Sequence, residues 1–122
     1  MKFYQCDTCK SIFTFVNKPT ENLNCCGNPL KEIIPNSTNA SLEKHIPVVE
    51  RRNDHILVKV GSEPHPMLPE HYIEWVVLET TQGYQLRNLK PGDAPMAEFV
   101  LAKGEDVLTT YAYCNIHKLW KD

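Results

Sequence analysis

Cys6 and Cys9 form a Cys-x-x-Cys pair, and after fifteen intervening residues Cys25 and Cys26 stand side by side. A Cys-x-x-Cys turn lets two thiolates converge on one ion, with backbone N–H groups aimed at the sulfurs. Four sulfurs in a tetrahedron suit zinc or iron, and four cysteines alone do not choose between them. The adjacent pair departs from a zinc ribbon, which repeats Cys-x-x-Cys in its second half. Neighbouring side chains reach one metal only where the backbone bends, and Gly27 directly after them can help. This spacing argues against unrelated buried thiols.

A second set of ligand-type residues is dispersed: His45 in EKHIPV, His65 in SEPHPM, His71 in EHYIEW, and Cys114 with His117 in CNIHKLW. Taken singly each is weak, since a lone histidine in a β-domain is more often a surface or hydrogen-bonded core residue. The Cys-x-x-His turn is stronger, being a recurrent ligand pair. Prolines flank both His65 and His45 and stiffen the loops that present them. A preorganised site needs such rigid presentation.

The elements that position these residues read as strands. HILVKV, residues 55–60, alternates Val58 and Val60 with Leu57 and Lys59. In residues 71–81 simple alternation puts His71, Ile73, Trp75 and Val77 on one face, and Tyr72, Glu74, Val76 and Leu78 on the other. Thr80 to Gly83 reads as a hairpin turn into Tyr84-Gln85-Leu86, and LKPGDAP as a second turn. AEFVLA and VLTTYAYC follow, with Lys103 to Asp106 between them. Prolines interrupt any 3.6-residue period, and short strands with regular turns predict an antiparallel sandwich or barrel. PNSTNAS, residues 35–41, reads as a linker between a cysteine-rich block and a histidine-bearing one.

The 122 residues suffice for one ordinary domain, or one domain with a small appendage. With 13 basic and 15 acidic side chains the chain carries a net charge of -2, which excludes the broad cationic footprint of a nucleic-acid binder. No apolar run approaches the ~20 residues that span a bilayer, and MKFYQCDTCK lacks the features of a secretory signal. The expectation is a cytoplasmic protein that binds neither membrane nor nucleic acid. There thiols stay reduced, and five cysteines read as metal ligands before disulfides.

In order, Cys-x-x-Cys, Cys-Cys, Glu-Lys-His-x-Pro-Val, Gly-Ser-x-Pro-His-Pro-Met, His-x-Ile-Glu-Trp, Lys-Pro-Gly-Asp-Ala-Pro and Cys-Asn-x-His-x-x-Trp run from Cys6 to Trp120. This order resembles desulfoferrodoxin, the two-iron superoxide reductase family. The resemblance implies a mainly β fold. Residues 1–36 would be a small desulforedoxin-like, rubredoxin-like module with an iron in four thiolates. Residues 37–122 would be a neelaredoxin-like, immunoglobulin-like antiparallel β-sandwich holding the second of two iron ions per chain. Carried over, the first iron would take Cys6, Cys9, Cys25 and Cys26. The second, cycling between Fe(II) and Fe(III), would take His45, His65, His71 and His117 in a plane with Cys114 axial. Only His55 is left over, as a surface residue. One departure is visible: Lys10 stands where many family members have Gly after the second cysteine.

Five ligands leave one octahedral position open, which separates a catalytic metal from a structural one. Fe(II) with neutral imidazoles and one thiolate carries about one positive charge, favourable for an anion. The resemblance implies one-electron reduction of superoxide to hydrogen peroxide, detoxifying it, with electrons from a rubredoxin-like donor and with a homodimer as the assembly. Lys44 resembles an electrostatic guide for superoxide, and Glu43 a carboxylate able to close the open position. Read without the family, the two are a solvated charge pair of little energetic weight. Trp75, Trp120 and Tyr113 read as packing aromatics. The rival expectations are iron superoxide dismutase activity and a non-catalytic zinc-binding module.

Overall fold

The computed structural model describes all of residues 1–122, which divide into two compact units, Met1–Ile34 and Pro35–Asp122. No helix is long and apolar enough to cross a membrane.

The first unit is built from two-residue strands: β1 (Tyr4–Gln5), β2 (Ile12–Phe13), β3 (Asn24–Cys25), β4 (Asn28–Pro29) and β5 (Lys31–Glu32). They form an antiparallel sheet in the order β2-β1-β5 and the separate β3-β4 hairpin. Of its side chains only Phe3 and Cys6 are buried. So small an apolar interior offers little to offset the entropy of ordering the chain, and units of this size draw on a metal or on oligomerisation for the rest.

The second unit opens with a single helical turn, α1 (Leu42–His45). Ile46 precedes Pro47 and is extended at φ -70°, ψ 122°, as a residue before proline prefers, so the helix ends there. Seven strands follow: β6 (Pro47–Arg52), β7 (His55–Val60), β8 (Ile73–Thr80), β9 (Gly83–Asn88), β10 (Met96–Val100), β11 (Val107–Cys114) and β12 (Lys118–Lys121). They form two antiparallel sheets, β10-β7-β6 and β12-β11-β8-β9, in an immunoglobulin-like sandwich. The core between them takes Ile56, Val58 and Val60 from β7 and Ala97 and Phe99 from β10. Ile73, Val76 and Leu78 from β8 and Ala112 and Cys114 from β11 complete it. The alternation expected in residues 55–60 is thus the observed one, and the hairpin after Thr80 pairs Thr80 with Gly83.

Three features depart from the sequence reading. Ile73 shares the core face with Val76 and Leu78 rather than lying with Trp75 and Val77. The cause is a bulge at Glu74: Tyr113 pairs with Trp75 but Cys114 with Ile73, and the extra residue inverts the face. The PNSTNAS segment is not a free linker. Asn36, at φ 59°, donates its backbone N–H to Leu119 O at 3.0 Å. Its side chain accepts from Lys121 N and donates to Lys121 O, so it covers the outer edge of β12. Strands β6 and β12 and the turn α1 had no sequence expectation. β6 alternates poorly, with four of its six residues exposed, and two or three apolar residues do not define a period.

Candidate metal centres

In the first unit Cys6 and Cys9 lie on a tight turn after β1. Lys10 N–H donates to Cys6 O and Cys6 N–H to Ser11 O, each at 3.0 Å, and Cys9 N–H points at Cys6 Sγ at 3.5 Å. Lys10 closes that turn at φ 64°, a left-handed conformation that glycine adopts without cost and lysine does not. The departure noted in the sequence therefore leaves the turn intact and adds strain. Cys26 and Gly27 are the two central residues of the β3-β4 hairpin, both at positive φ, 52° and 78°. Positive φ at both central positions marks a type I′ turn. That bend carries the adjacent thiols Cys25 and Cys26 to one side, 3.9 Å apart, with Cys9 Sγ 3.6 Å from Cys25 Sγ.

A tetrahedral metal with sulfur bonds of about 2.3 Å separates its sulfurs by about 3.8 Å, so this cluster fits such an ion. Protonation favours the same conclusion. Hydrogen bonding from the Ser11 hydroxyl holds Cys9 down at about 6, and the Cys9 backbone N–H lowers Cys6. Cys25, sharing hydrogen bonds with the Cys6 and Cys9 sulfurs, is pushed up to about 12. Four thiolates this close cannot all ionise unless a cation sits among them.

In the second unit four imidazoles close a ring. Centroid separations are 4.7 Å for His45–His65, 4.7 Å for His65–His71, 5.2 Å for His71–His117 and 4.9 Å for His117–His45. Successive rings are tilted by 74–89°. α1 supplies His45, the proline-flanked loop after β7 supplies His65, and the approach to β8 supplies His71. Cys114 ends β11, and the turn into β12 carries His117, with Lys118 completing it at φ 65°. The donor atoms of His45, His65, His71 and Cys114 lie within 4.8 Å of one another, and His117 Nδ1 is 3.9 Å from Cys114 Sγ.

The ring nitrogens meet in a way that metal-free chemistry does not satisfy. His45 Nδ1 lies 2.6 Å from Ser41 O and His65 Nδ1 2.7 Å from Pro66 O, so both rings donate there and turn their Nε2 lone pairs inward. Those Nε2 atoms face each other at 3.1 Å, and His117 Nδ1 is 3.1 Å from the same His45 Nε2. His71 Nε2 is buried without a partner. Protonation is opposed, because burial lowers His45 and His71 and takes His65 down to about 4. A square of metal–nitrogen bonds of about 2.1 Å spaces its neighbours by about 3.0 Å, so a metal ion fits this ring.

Cys114 is fully buried, which pushes its thiol up, and His117 N–H points at its sulfur at 3.3 Å. Trp120 stacks on His45 at 4.7 Å and donates its indole N–H to His117 O at 2.9 Å, packing two ring members at once. Trp75 stacks on Tyr113 at 5.3 Å. His45 and His65 are buried while His71 and His117 are half-buried, so the ring has one open side. Lys44 and Glu43 are exposed on α1. The Lys44 charge adds to the burial that lowers His45 and His71, and Glu43 is held below the usual carboxylate range by its own backbone N–H. His55 lies apart, exposed and 2.9 Å from Asp54 Oδ1.

Two residues that pack or hydrogen-bond against the backbone beside the ring lay unread in the sequence motifs. Gly61, at φ 84°, passes so close to α1 that a Cβ would meet Glu63 O and come within 2.6 Å of Glu43 O and of the Lys44 carbonyl carbon. Asn115, inside the Cys-x-x-His turn, hydrogen-bonds to both peptide neighbours of His71. A glycine opening the Gly-Ser-x-Pro-His run and an asparagine directly after a ligand were the available signals.

A β-sandwich with a closed imidazole ring and a buried thiol, preceded by a four-thiol knuckle, defines a metalloprotein with two separate metal-binding groups. Residues 37–122 match the family model described as desulfoferrodoxin. The desulfoferrodoxin homolog of Archaeoglobus fulgidus is 42% identical over 121 residues, covering 99% of this chain and 95% of that protein. The superoxide reductase of Pyrococcus abyssi is 38% identical over 66% of this chain and 84% of its own length. Among solved structures, the superoxide reductase of Treponema pallidum superposes with a TM-score of 0.83 at 36% identity, covering 99% of this chain and 97% of that one. The chain belongs to the desulfoferrodoxin family.

Proposed function

We propose that this chain is a superoxide reductase, an oxidoreductase converting superoxide, one electron and two protons into hydrogen peroxide. The observation that carries the reading is the closed ring of four imidazoles whose lone pairs face inward beside a buried thiol. Family membership and the superoxide reductases among its relatives support it. A ferrous ion held by His45, His65, His71, His117 and Cys114 would supply the electron, and a second iron would sit among Cys6, Cys9, Cys25 and Cys26.

The protein's own groups prepare that chemistry. Ser41 O and Pro66 O hold His45 and His65 in the tautomer that presents Nε2. Burial favours the neutral forms of His45, His65 and His71, and a ferrous ion with one thiolate would leave such a site about one positive charge toward an anion. Lys44 draws superoxide to the open side of the ring. Glu43, ionised and one residue from Lys44, is the carboxylate on the same turn that can close that side once the substrate has left. Solvent at the half-buried edge delivers the protons.

The same reading makes the first unit, Met1–Ile34, the four-cysteine iron domain and the second, Pro35–Asp122, the catalytic one, with the chain acting as a homodimer and taking its electrons from a rubredoxin-like protein. Five free thiols suit a reducing cytoplasm. The test is metal content and product analysis on protein prepared anaerobically. Two irons per chain, with one peroxide per superoxide at the cost of an external reductant, are expected. Dioxygen released without a donor would mean dismutation, and zinc in both sites without turnover after iron loading would reduce the chain to a binding module.

A further inference from the structure

His71 differs from the other members of the ring. His45 and His65 are each oriented by a backbone carbonyl on Nδ1, and His117 is held by the turn it shares with Cys114. No protein group hydrogen-bonds the His71 ring, whose buried Nε2 stands alone. Apart from edge contacts with the His65 and His117 rings, its direction is set by its backbone. On one side a narrow loop is closed by Leu68 N–H to His71 O at 2.9 Å and His71 N–H to Leu68 O at 3.0 Å. That loop by itself ties His71 to no other member of the ring.

Asn115 makes the missing tie. Its side-chain amide donates to Glu70 O at 3.1 Å and its Oδ1 accepts from Tyr72 N–H at 2.9 Å. Its own backbone N–H donates to Tyr72 O at 3.2 Å. One residue on the Cys114–His117 turn therefore grips the peptides on both sides of His71. Three of the five donor residues are thereby held in one hydrogen-bonded frame just ahead of the Glu74 bulge, where the β8-β11 ladder is interrupted.

We propose that Asn115, by joining the Cys114–His117 turn to both peptide neighbours of His71, is the positioning residue that aims the His71 imidazole into the metal site. The inference rests on reading the ring as a metal site, and its test measures metal binding rather than superoxide turnover. Ligand-orienting partners of this kind are worth about 10–100-fold in metal affinity. In iron-loaded protein, Asn115→Ala is expected to weaken ferrous iron in the ring by about that factor, read by chelator competition. The four-cysteine metal stays unchanged as an internal reference. The high-spin ferric EPR signal, whose rhombicity reports equatorial symmetry, shifts with it.

A residue acting through His71 has nothing left to position once that ligand is gone. On a His71→Ala background Asn115→Ala is therefore expected to change the affinity by less than about twofold. Asn115→Asp, which keeps an acceptor for Tyr72 N–H and loses the donor to Glu70 O, falls between asparagine and alanine, and it decides alone should the alanine variant not fold. Equal losses on both backgrounds, or unchanged affinity and line shape, overturn the inference. An imidazole ring that takes up no metal in the unsubstituted protein overturns the metal reading and the inference with it.

Discussion

At the scale of single residues, charge and backbone conformation carry separate consequences. Lys44 is exposed, and its charge is felt at His45 and His71, so any contribution it makes lies in the field it adds to the ring. Lys44→Ala is expected to lower the second-order rate with superoxide about tenfold at low salt and to flatten its ionic-strength dependence. Stopped-flow rates at several salt concentrations check this, and an unchanged rate at low salt would count against any steering role. Lys10 sits in a left-handed conformation that costs a lysine about 1 kcal/mol. Lys10→Gly is expected to raise the denaturant midpoint for loss of the four-cysteine metal by a corresponding amount. Gly61→Ala should do the opposite to the second unit. A Cβ there meets backbone atoms that cannot swing aside, at positive φ, for a cost of about 2–4 kcal/mol. Because the displaced atoms include those of Glu43 and Lys44 as well as Glu63 O, weaker metal binding at the adjoining His45 should accompany the lower Tm.

At the scale of elements, one carboxylate clamps the loop from β10 to β11 onto the end of β8, beside the backbone bond from Thr81 N–H to Asp106 O. Glu105 accepts from Ala102 N–H at 2.8 Å and from the Thr80 hydroxyl at the end of β8. The Thr80 bond, followed by the one from Ala102, lowers its pKa on folding. A carboxylate lowered by folding stabilises above its unfolded pKa of about 4.3, and the contribution disappears as pH falls through the folded value. Glu105→Gln is therefore expected to lower Tm at neutral pH, with the gap closing below about pH 4. Thermal denaturation of both proteins across pH 3–8 checks the sign. The sequence marked Lys103 to Asp106 as a turn between strands, but showed nothing of the clamp. Thr80 and Glu105 are 25 residues apart and meet only because β8 and β11 pair.

At the scale of the whole molecule, two units differ in what holds them together. The second has a continuous apolar core between two sheets, whereas the first has two buried side chains and strands of two residues. Metal binding should then be folding free energy for the first unit and much less so for the second. Cys9→Ala is expected to remove one metal per chain and to collapse amide protection across residues 4–32. Protection across β7, β8 and β11, and the metal of the imidazole ring, should persist. Hydrogen exchange with metal analysis reads both outcomes, and a joint loss would show that the second unit depends on the first metal.

The sequence by itself marked the cysteines and histidines that the fold gathers into two clusters. Nine cysteines and histidines stood in recognisable motifs, and the strand composition of residues 55–60 and 107–114 announced an antiparallel sandwich or barrel without choosing between them. It also announced the bend at Cys26-Gly27, since adjacent ligands and a following glycine leave few alternatives. What it left open was everything fixed by contacts distant along the chain. The face of Ile73 was misjudged because a bulge at Glu74 is set by pairing with β11, which no period along β8 encodes. Asn36 read as linker because its partners lie 85 positions away on β12. The roles of Gly61 and Asn115 appeared only once α1 and the His71 loop were packed beside them. Ligand identity is a property of side-chain chemistry and local spacing, which the chain carries in its letters. The aim of those ligands depends on which backbone groups meet across the sandwich, and only the folded chain decides that.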